Sequence, residues 1–249
     1  MPKCRPKQAP VHLLVVLGSG GHTAEMFSML RRMKLDPSIY SYRTYAVSSG
    51  DNFSAAKAME FETSLRDGEQ RGGQGTGTNR QTVAKKADSQ GSYSIVTVPR
   101  ARRVHQSYLT APFSTLQCFW ACLLMLRGLH PDQGPLPSNI LSPYPDLILS
   151  NGPATAVCVI LAAKALRLCR YLNPLRNNSG KLKTEDPVPL DYQPRTIFVE
   201  SWARVTTLSL SGKLLLPFVD RFLVQWPALE GKAAWKGMRK TEYVGAFVD

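Results

Sequence analysis

Long hydrophobic runs are absent from this 249-residue sequence. No stretch of about twenty apolar residues occurs, which excludes a clear transmembrane helix. The apolar run at residues 11–17 is short, contains His12 and leads into a glycine-rich turn, so we do not expect cleavage as a signal peptide. Attachment of this chain to any membrane is therefore predicted to be peripheral.

Cysteine and histidine are scarce, with five and four residues respectively. No Cys-x-x-Cys pair occurs, and Cys118 and Cys122, spaced one helical turn apart, have no flanking histidine. These spacings do not match a zinc site. An odd number of cysteines, mostly in apolar stretches, is typical of buried thiols in a reducing compartment. We expect no metal site and no cofactor.

Acidic residues are few, because 18 Asp and Glu stand against 31 Lys and Arg, for a formal net charge of +13. A strongly basic chain favours an anionic partner, which is a nucleic acid, a phosphorylated substrate or an anionic membrane surface. No zinc-finger spacing, aromatic RNA-recognition motif or heptad-linked basic region occurs. The sequence therefore favours a phosphorylated or membrane partner and predicts no nucleic acid.

A glycine-rich turn follows the first predicted strand, at residues 11–17. The turn consists of Gly18, Ser19, Gly20 and Gly21. It is neither a dinucleotide fingerprint, because Thr23 replaces the third glycine, nor a P-loop, because no Gly-Lys-Ser/Thr ends it. An amphipathic helical pattern begins at His22. The backbone N–H groups at the start of this helix, which is its positive end, therefore point towards the space above the turn. This arrangement predicts a phosphate site, and a tight turn without a ligand is the alternative.

Strand-like and helical segments alternate along the whole chain. The predicted strands lie at residues 11–17, 41–48, 93–98, 146–150, 195–200 and 220–225. The alternation predicts an α/β fold with a single Rossmann-like, doubly wound parallel sheet. Residues 1–10 are interpreted as a basic N-terminal tail and residues 11–249 as the domain. Within it, residues 62–92 are predicted to be a disordered insertion that buries nothing, and 131–145 and 171–194 are predicted polar loops.

Polar residues follow each predicted strand, at the edge where parallel sheets bind ligands. The candidate site residues on this edge are Gly18, Ser19, Gly20, Gly21, His22, Arg102, Asn151, Gly152, Glu200, Ser201 and Arg204. Arginine forks clamp phosphate oxygens, while amide and carboxylate groups bind hydroxyls. The set suits a diphosphate joined to a hydroxylated group. His22, at the mouth of the site, is a candidate general base, and a helix N-terminal histidine without chemistry is the alternative.

Four segments carry a resemblance to a known family. They are GSGGHTAEM at 18–26, R-x-V-x-Q-S at 102–107, LSNGP at 149–153 and FVESWARVTTLSLSGKLLLPFVDRFLVQWPAL at 198–229. These segments resemble the asparagine-linked glycosylation subunit that anchors a UDP-N-acetylglucosamine transferase. The last block is long and specific, and the likeness covers nearly the whole chain outside the insertions. The glycine-rich turn is also similar to the acceptor-side loop of the bacterial peptidoglycan GlcNAc transferase.

The resemblance implies the N-terminal half of a GT-B glycosyltransferase that is inactive alone. Such a subunit recruits a catalytic subunit, which supplies the UDP-GlcNAc half, to the cytosolic face of the endoplasmic reticulum membrane, with the nuclear envelope as a second location. The pair adds the second GlcNAc to dolichyl-diphosphate-GlcNAc. On this basis His22 or Glu200 assists deprotonation of the acceptor hydroxyl, without a metal. Gly20, Gly21 and Arg102 hold the acceptor diphosphate.

The sequence departs from the family pattern in two places. Many members begin with a membrane-spanning helix, whereas ten residues precede the first predicted strand here. Attachment is then expected through the helix predicted at 112–129, with Trp120 and Arg127 near the interface, unless the sequence lacks an initial segment. The alternative for this helix is an ordinary core helix. Ala154 also stands where the family has glycine. The Cβ of this alanine narrows the space in which the backbone can approach a ligand.

Two other functions and one structural question remain open from the sequence. The chain is alternatively a complete stand-alone glycosyltransferase or nucleotide-sugar enzyme, or a scaffold whose polar edge is vestigial. The apolar tail at 243–248 is either a docking element for the catalytic partner or an edge strand.

Overall fold

The computed structural model describes residues 10–33, 35–36, 38–72, 93–102, 106, 111–137, 140, 144–152, 154–172 and 194–247. The strands are β1 His12–Val16, β2 Tyr42–Ser48, β3 Tyr93–Val98, β4 Leu147–Asn151, β5 Arg195–Val199, β6 Arg221–Val224 and β7 Glu242–Tyr243. The α-helices are α1 Gly21–Arg32, α2 Asn52–Gly72, α3 Ala111–Leu126, α4 Ala154–Leu172 and α5 Leu210–Leu215. A short 3₁₀ helix spans Pro227–Leu229.

The seven strands form one parallel sheet in the order β3-β2-β1-β4-β5-β6-β7. Strand β1 lies in the middle, with Val15 in register with Tyr45 of β2 and Leu149 of β4. All five residues of β1 are buried, as expected of a strand covered by helices on both faces. The Rossmann-like, doubly wound sheet predicted from the sequence is confirmed.

Each face of the sheet carries its own helical layer and its own core. Because successive side chains of a strand point to opposite faces, Leu13 and Val15 join one core, and Leu14 and Val16 join the other. Helices α1 and α2 cover the first face, where their aromatic side chains pack against β2. Helices α3, α4 and α5 cover the second face, with α4 between the other two.

The cysteines described by the structure are mostly core residues. Cys118, Cys122 and Cys158 are buried in the second core. Hydrogen bonding between thiols together with burial raises the pKa of both Cys118 and Cys158, so neither is a reactive thiolate. The expectation of buried thiols is wrong for Cys169, which is exposed near the end of α4.

The predicted start of the disordered insertion is wrong, because α2 continues through residue 62 as far as Gly72. Glu62 is almost completely buried and accepts hydrogen bonds from Arg43 Nε at 2.6 Å and Nη2 at 2.8 Å. Tyr45 donates a third bond to it at 2.7 Å. The composition of residues 62–92 did not indicate this contact, because a glutamate is assigned to the surface unless its partner is known. The rest of the predicted insertion, 73–92, lies outside the described residues.

The structure describes only part of the two predicted polar loops and of the predicted N-terminal tail. Helix α4 extends to Leu172, two residues into the position predicted for the polar loop at 171–194, and 173–193 lie outside the described residues. Residues 131–137, 140, 144 and 145 of the predicted loop at 131–145 contain neither helix nor strand. Residues 1–9 of the basic tail also lie outside the described ranges.

Helix α3 has one buried and one exposed apolar face. Its inward residues include Cys118, Cys122 and Met125, which pack in the second core. Its outward face presents Phe113 and Trp120, whose exposed fractions are 77% and 63%. The interpretation of α3 as a core helix therefore holds for its inward face and not for its outward face. Within the described ranges, no helix combines the length and apolarity needed to cross a bilayer.

The C-terminal segment forms the edge of the sheet. Strand β7 pairs with β6 in parallel, and the chain continues with Val244 N donating to Val224 O at 3.1 Å. The edge-strand alternative therefore describes residues 242–244. Strand β7 carries an exposed tyrosine, Tyr243.

We expect Glu62→Gln to destabilise the fold strongly, because it leaves the buried Arg43 guanidinium without its counter-charge. Removing one partner of a buried ion pair costs about 3–5 kcal/mol. Urea denaturation of the full chain measures the loss. The control is Glu60→Gln on the same helix, where the carboxylate pairs with Lys57 at the surface and contributes far less. Equal losses in the two variants would show that the Arg43–Glu62 pair does not anchor α2.

Candidate functional site

The glycine-rich turn lies where the strand order reverses, between β1 and β4. Gly20 has φ +62° and caps α1 without a side chain. Thr23 N and Ala24 N donate to Gly20 O, and the N–H groups of Gly21 and His22 are left without a capping side chain. A Cβ added at Gly20 or Gly21 would meet nothing within 4 Å. This is the crevice in which doubly wound sheets bind ligands, and the helix end favours an anion there.

A buried hydrogen-bond network holds the turn in place. Thr23 Oγ1 donates to Gly18 O and lies 2.6 Å from Ser54 Oγ. Ser54 Oγ in turn donates to Asp51 Oδ2 at 2.7 Å, and Ser54 N donates to Asp51 Oδ1 at 3.1 Å. Thr23, which occupies the position of the missing third glycine, therefore ties the turn to the start of α2.

His22 is held between the first and fourth strands. Asn151 Nδ2 donates to His22 O at 2.8 Å, and the imidazole packs on the backbone of Gly152. Gly152 has φ +81°, and a Cβ at this position would lie 3.0 Å from His22 Cγ. The Nδ1 atom is buried although the side chain is 34% exposed, so the exposed part of the ring is the edge that carries Nε2.

A buried carboxylate, Glu25, lies behind the imidazole. Glu25 Oε2 is 3.8 Å from His22 Nδ1, and Glu25 Oε1 accepts a hydrogen bond from Trp202 N at 2.6 Å and one from Gln225 Nε2. Burial alone would raise the pKa of this carboxyl, but its contacts with His22, Trp202 N and Gln225 outweigh burial and lower it. Glu25 is therefore ionised at neutral pH.

Sequence analysis did not identify Glu25 as part of the site. The spacing between His22 and Glu25 could have indicated it, because residues three apart in a helix lie on the same face and His22 was already a predicted site residue. Its other two partners, Trp202 and Gln225, lie 177 and 200 residues further along the chain. No local pattern links positions that far apart.

Glu200, the second predicted base, faces away from the opening. Its Oε2 accepts hydrogen bonds from Ser209 N at 2.9 Å and Ser209 Oγ at 3.1 Å, and its Oε1 accepts one from Ser201 N at 3.2 Å. A Cβ at Gly212 would lie 2.2 Å from Oε2, so α5 packs closely against this carboxylate. Glu200 is 1% exposed and holds the start of α5. Of the two predicted bases, His22 is the one with an edge open to solvent.

The two predicted arginines flank the centre of the site. Arg102 lies four residues after the end of β3 and Arg204 five residues after the end of β5, and each of these strands is two positions from β1 in the sheet. Both side chains are exposed, and the backbone of Arg204 is fixed by a bond from its N–H to Ser201 O at 2.9 Å. The structure thus brings His22 and Gly152 into contact and places the arginines on either side.

Comparisons with known proteins identify the family of this chain. The chain matches the family described as "Oligosaccharide biosynthesis protein Alg14 like" over residues 13–247. It is 62% identical to the UDP-N-acetylglucosamine transferase subunit alg14 of Aspergillus fumigatus, over 90% of this chain and 100% of that protein. The subunits of the same name from Schizosaccharomyces pombe and Homo sapiens are 37% and 32% identical, over 94% and 95% of this chain and 82% of each relative. No solved structure matches significantly.

We expect Gly152→Ala to displace the His22 ring and to destabilise the fold. Left-handed backbone costs a residue with a Cβ about 1–2 kcal/mol, and the added Cβ would also press on the imidazole. Urea denaturation measures the first effect, and the NMR shifts of the His22 ring measure the second. The control is Gly21→Ala, where open space and helical backbone predict a change within about 0.5 kcal/mol. Wild-type stability and ring shifts in Gly152→Ala would contradict the proposed packing.

Proposed function

The chain belongs to the Alg14 family of UDP-N-acetylglucosamine transferase subunits, and we propose that it is the acceptor-binding and membrane-anchoring subunit of that transferase. In this proposal the acceptor is dolichyl-diphosphate-GlcNAc, to which the assembled enzyme adds the second GlcNAc of the N-glycan precursor. A separate catalytic subunit binds UDP-GlcNAc. The complex acts on the cytosolic face of the endoplasmic reticulum membrane and of the nuclear envelope.

The acceptor site is proposed from one observation: the solvent-exposed Nε2 edge of His22 lies beside the N-terminus of α1, which has no capping side chain. The N–H groups at the start of α1 attract the acceptor diphosphate, since their partial positive charge is uncompensated by a capping side chain. Arg102 and Arg204 lie on either side, where guanidinium forks can bind phosphate oxygens. His22 Nε2 then faces the sugar that the diphosphate carries.

The chemistry requires a second protein domain. The acceptor hydroxyl attacks the anomeric carbon of the donor sugar in line with the departing UDP, and His22 takes the hydroxyl proton. The described residues form one parallel sheet, whose crevice is occupied by the acceptor in this proposal. A GT-B enzyme binds donor and acceptor between two facing domains, so the donor domain comes from the catalytic subunit.

Helix α3 supports a peripheral membrane attachment. Phe113, Leu116 and Trp120 recur at helical spacing on its outward face, with exposed fractions of 77%, 66% and 63%. All three lie within the first ten of the sixteen residues of the helix. Because α3 follows β3 and runs back along the sheet, the start of the helix lies at the same end of the strands as the glycine-rich turn. An apolar patch there would enter the headgroup region while the acceptor diphosphate reaches His22, and the net charge of +13 favours anionic lipids.

We expect GlcNAc transfer only when both subunits are present. The assay offers UDP-GlcNAc and a lipid-diphosphate-GlcNAc acceptor to the purified chain alone, to the candidate catalytic subunit alone, and to the mixture. Turnover by this chain alone would identify a complete enzyme and contradict the half-enzyme proposal. Full turnover by the catalytic subunit alone would exclude an acceptor-binding role for this chain.

We expect the triple variant Phe113→Ser, Leu116→Ser, Trp120→Ser to bind vesicles of anionic phospholipid at least about tenfold more weakly, since burying one such side chain contributes about 1.5–3 kcal/mol. Vesicle flotation measures the bound fraction.

The matched control is Leu168→Ser, Tyr171→Ser, Leu172→Ser. These three side chains are also exposed and apolar, but they lie at the end of α4, at the opposite edge of the sheet. The control is expected to bind vesicles as the wild type does. Equal loss in both variants would show that membrane attachment is not specific to α3.

A further inference from the structure

Glu25 is oriented towards His22 by two donors on its other oxygen. Trp202 N–H and Gln225 Nε2 both donate to Oε1, which leaves Oε2 directed at His22 Nδ1, 3.8 Å away. The Glu25 side chain is 9% exposed, so the imidazole is its main neighbour on the Oε2 side. At 3.8 Å the pair is an electrostatic contact rather than a hydrogen bond, and His22 Nδ1 has no hydrogen-bond partner among the described residues. Contacts at catalytic centres are commonly long without substrate and shorten to hydrogen bonds when it binds.

The orientation of the Gln225 amide is fixed at both ends. Its Nε2 donates to Glu25 Oε1 and to Glu200 O, the latter at 3.0 Å, while its Oε1 accepts from Phe247 N at 3.0 Å. A flipped amide would place oxygen against two acceptors and nitrogen against a donor. Gln225 therefore presents N–H groups to Glu25 and cannot exchange them for an acceptor.

We propose that Glu25 is a positioning residue that keeps the His22 proton on Nδ1 and leaves Nε2 free to accept the proton of the acceptor hydroxyl. The inference rests on the proposed role of His22 as the base. An anionic oxygen has no proton to donate, so its charge favours the neutral imidazole tautomer that carries the proton on the nitrogen facing it. The nitrogen on the open edge is then unprotonated, which is the form that a general base requires.

The same contact stabilises the charge that forms during transfer. The acceptor oxygen forms a bond to the anomeric carbon, the bond from that carbon to the UDP oxygen breaks, and UDP leaves with the electron pair. The hydroxyl proton moves to His22 Nε2, so the ring becomes an imidazolium with a proton on each nitrogen. Glu25 faces the Nδ1 proton and remains a carboxylate throughout, as the buried acid of a catalytic triad does.

The variant Glu25→Gln separates this role from simple packing. A glutamine at 25 can still accept from Trp202 N and Gln225 through its oxygen, but its NH₂ group then faces Nδ1 and forces the His22 proton to Nε2. Loss of base function from the wrong tautomer is expected to lower kcat of the complex by about 10²-fold or more, with KM for the acceptor nearly unchanged. The control Glu60→Gln, on the surface of α2, is expected to keep wild-type kcat.

A double-mutant cycle with His22→Ala tests whether the two residues act as one unit. If Glu25 acts through His22, then Glu25→Gln has little further effect on kcat in the His22→Ala background. A loss of the same size in both backgrounds would overturn the positioning role. Wild-type activity of His22→Ala would instead remove His22 as the base and with it this part of the proposed function.

Nitrogen NMR of the imidazoles tests the inference without any activity measurement. The chain has four histidines, and the His22 signals are identified as those missing from His22→Ala. At mildly alkaline pH, the wild type is expected to carry the His22 proton on Nδ1 and Glu25→Gln on Nε2. Glu200→Gln removes another buried carboxylate at this edge and is expected to leave the His22 tautomer unchanged. An identical His22 tautomer in wild type and Glu25→Gln would overturn the proposal.

Discussion

The pairing of β1 with both β2 and β4 is the constraint on which the structure depends. Within the described sheet, the order of consecutive strands reverses at one point, which is the end of β1. The glycine-rich turn follows β1 directly. His22, in the first turn of α1, and Asn151, the last residue of β4, are brought together by this pairing, and their contact is a consequence of the register. The helix end, the imidazole and the open crevice coincide because they share this one strand.

The fold was predictable because its signals are local. The near-continuous apolar run of β1, the glycines after it and the alternation of strand and helix each lie within a few residues, and parallel sheets require those patterns. The positions of His22, Asn151 and Gly152 followed from the same rule, since residues after parallel strands meet at one edge. The orientation of Glu200 did not follow, because the sequence does not show that Ser209 would take up its carboxylate.

Buried carboxylates are the part of the structure that the sequence conceals. Glu62 is buried because Arg43 and Tyr45 face it from a neighbouring strand, and Glu25 is buried because donors arrive from the far end of the chain. Composition assigns such residues to the surface, and only the tertiary contacts reverse that assignment. In a chain with few acidic residues, placing several of them inside leaves the surface more basic than the net charge alone suggests.

The amide of Gln225 has a consequence for how this protein can diverge. It joins α1, the end of β5 and the C-terminal segment through three hydrogen bonds, each of which requires a fixed donor or acceptor. A glutamate at 225 would set two carboxylates against each other, and an aliphatic residue would remove one of the two donors to the buried Glu25 carboxylate. Substitutions at positions 25 and 225 are therefore expected to be coupled over evolutionary time, because a change at one position alone leaves the other side chain with a mismatched hydrogen-bond partner.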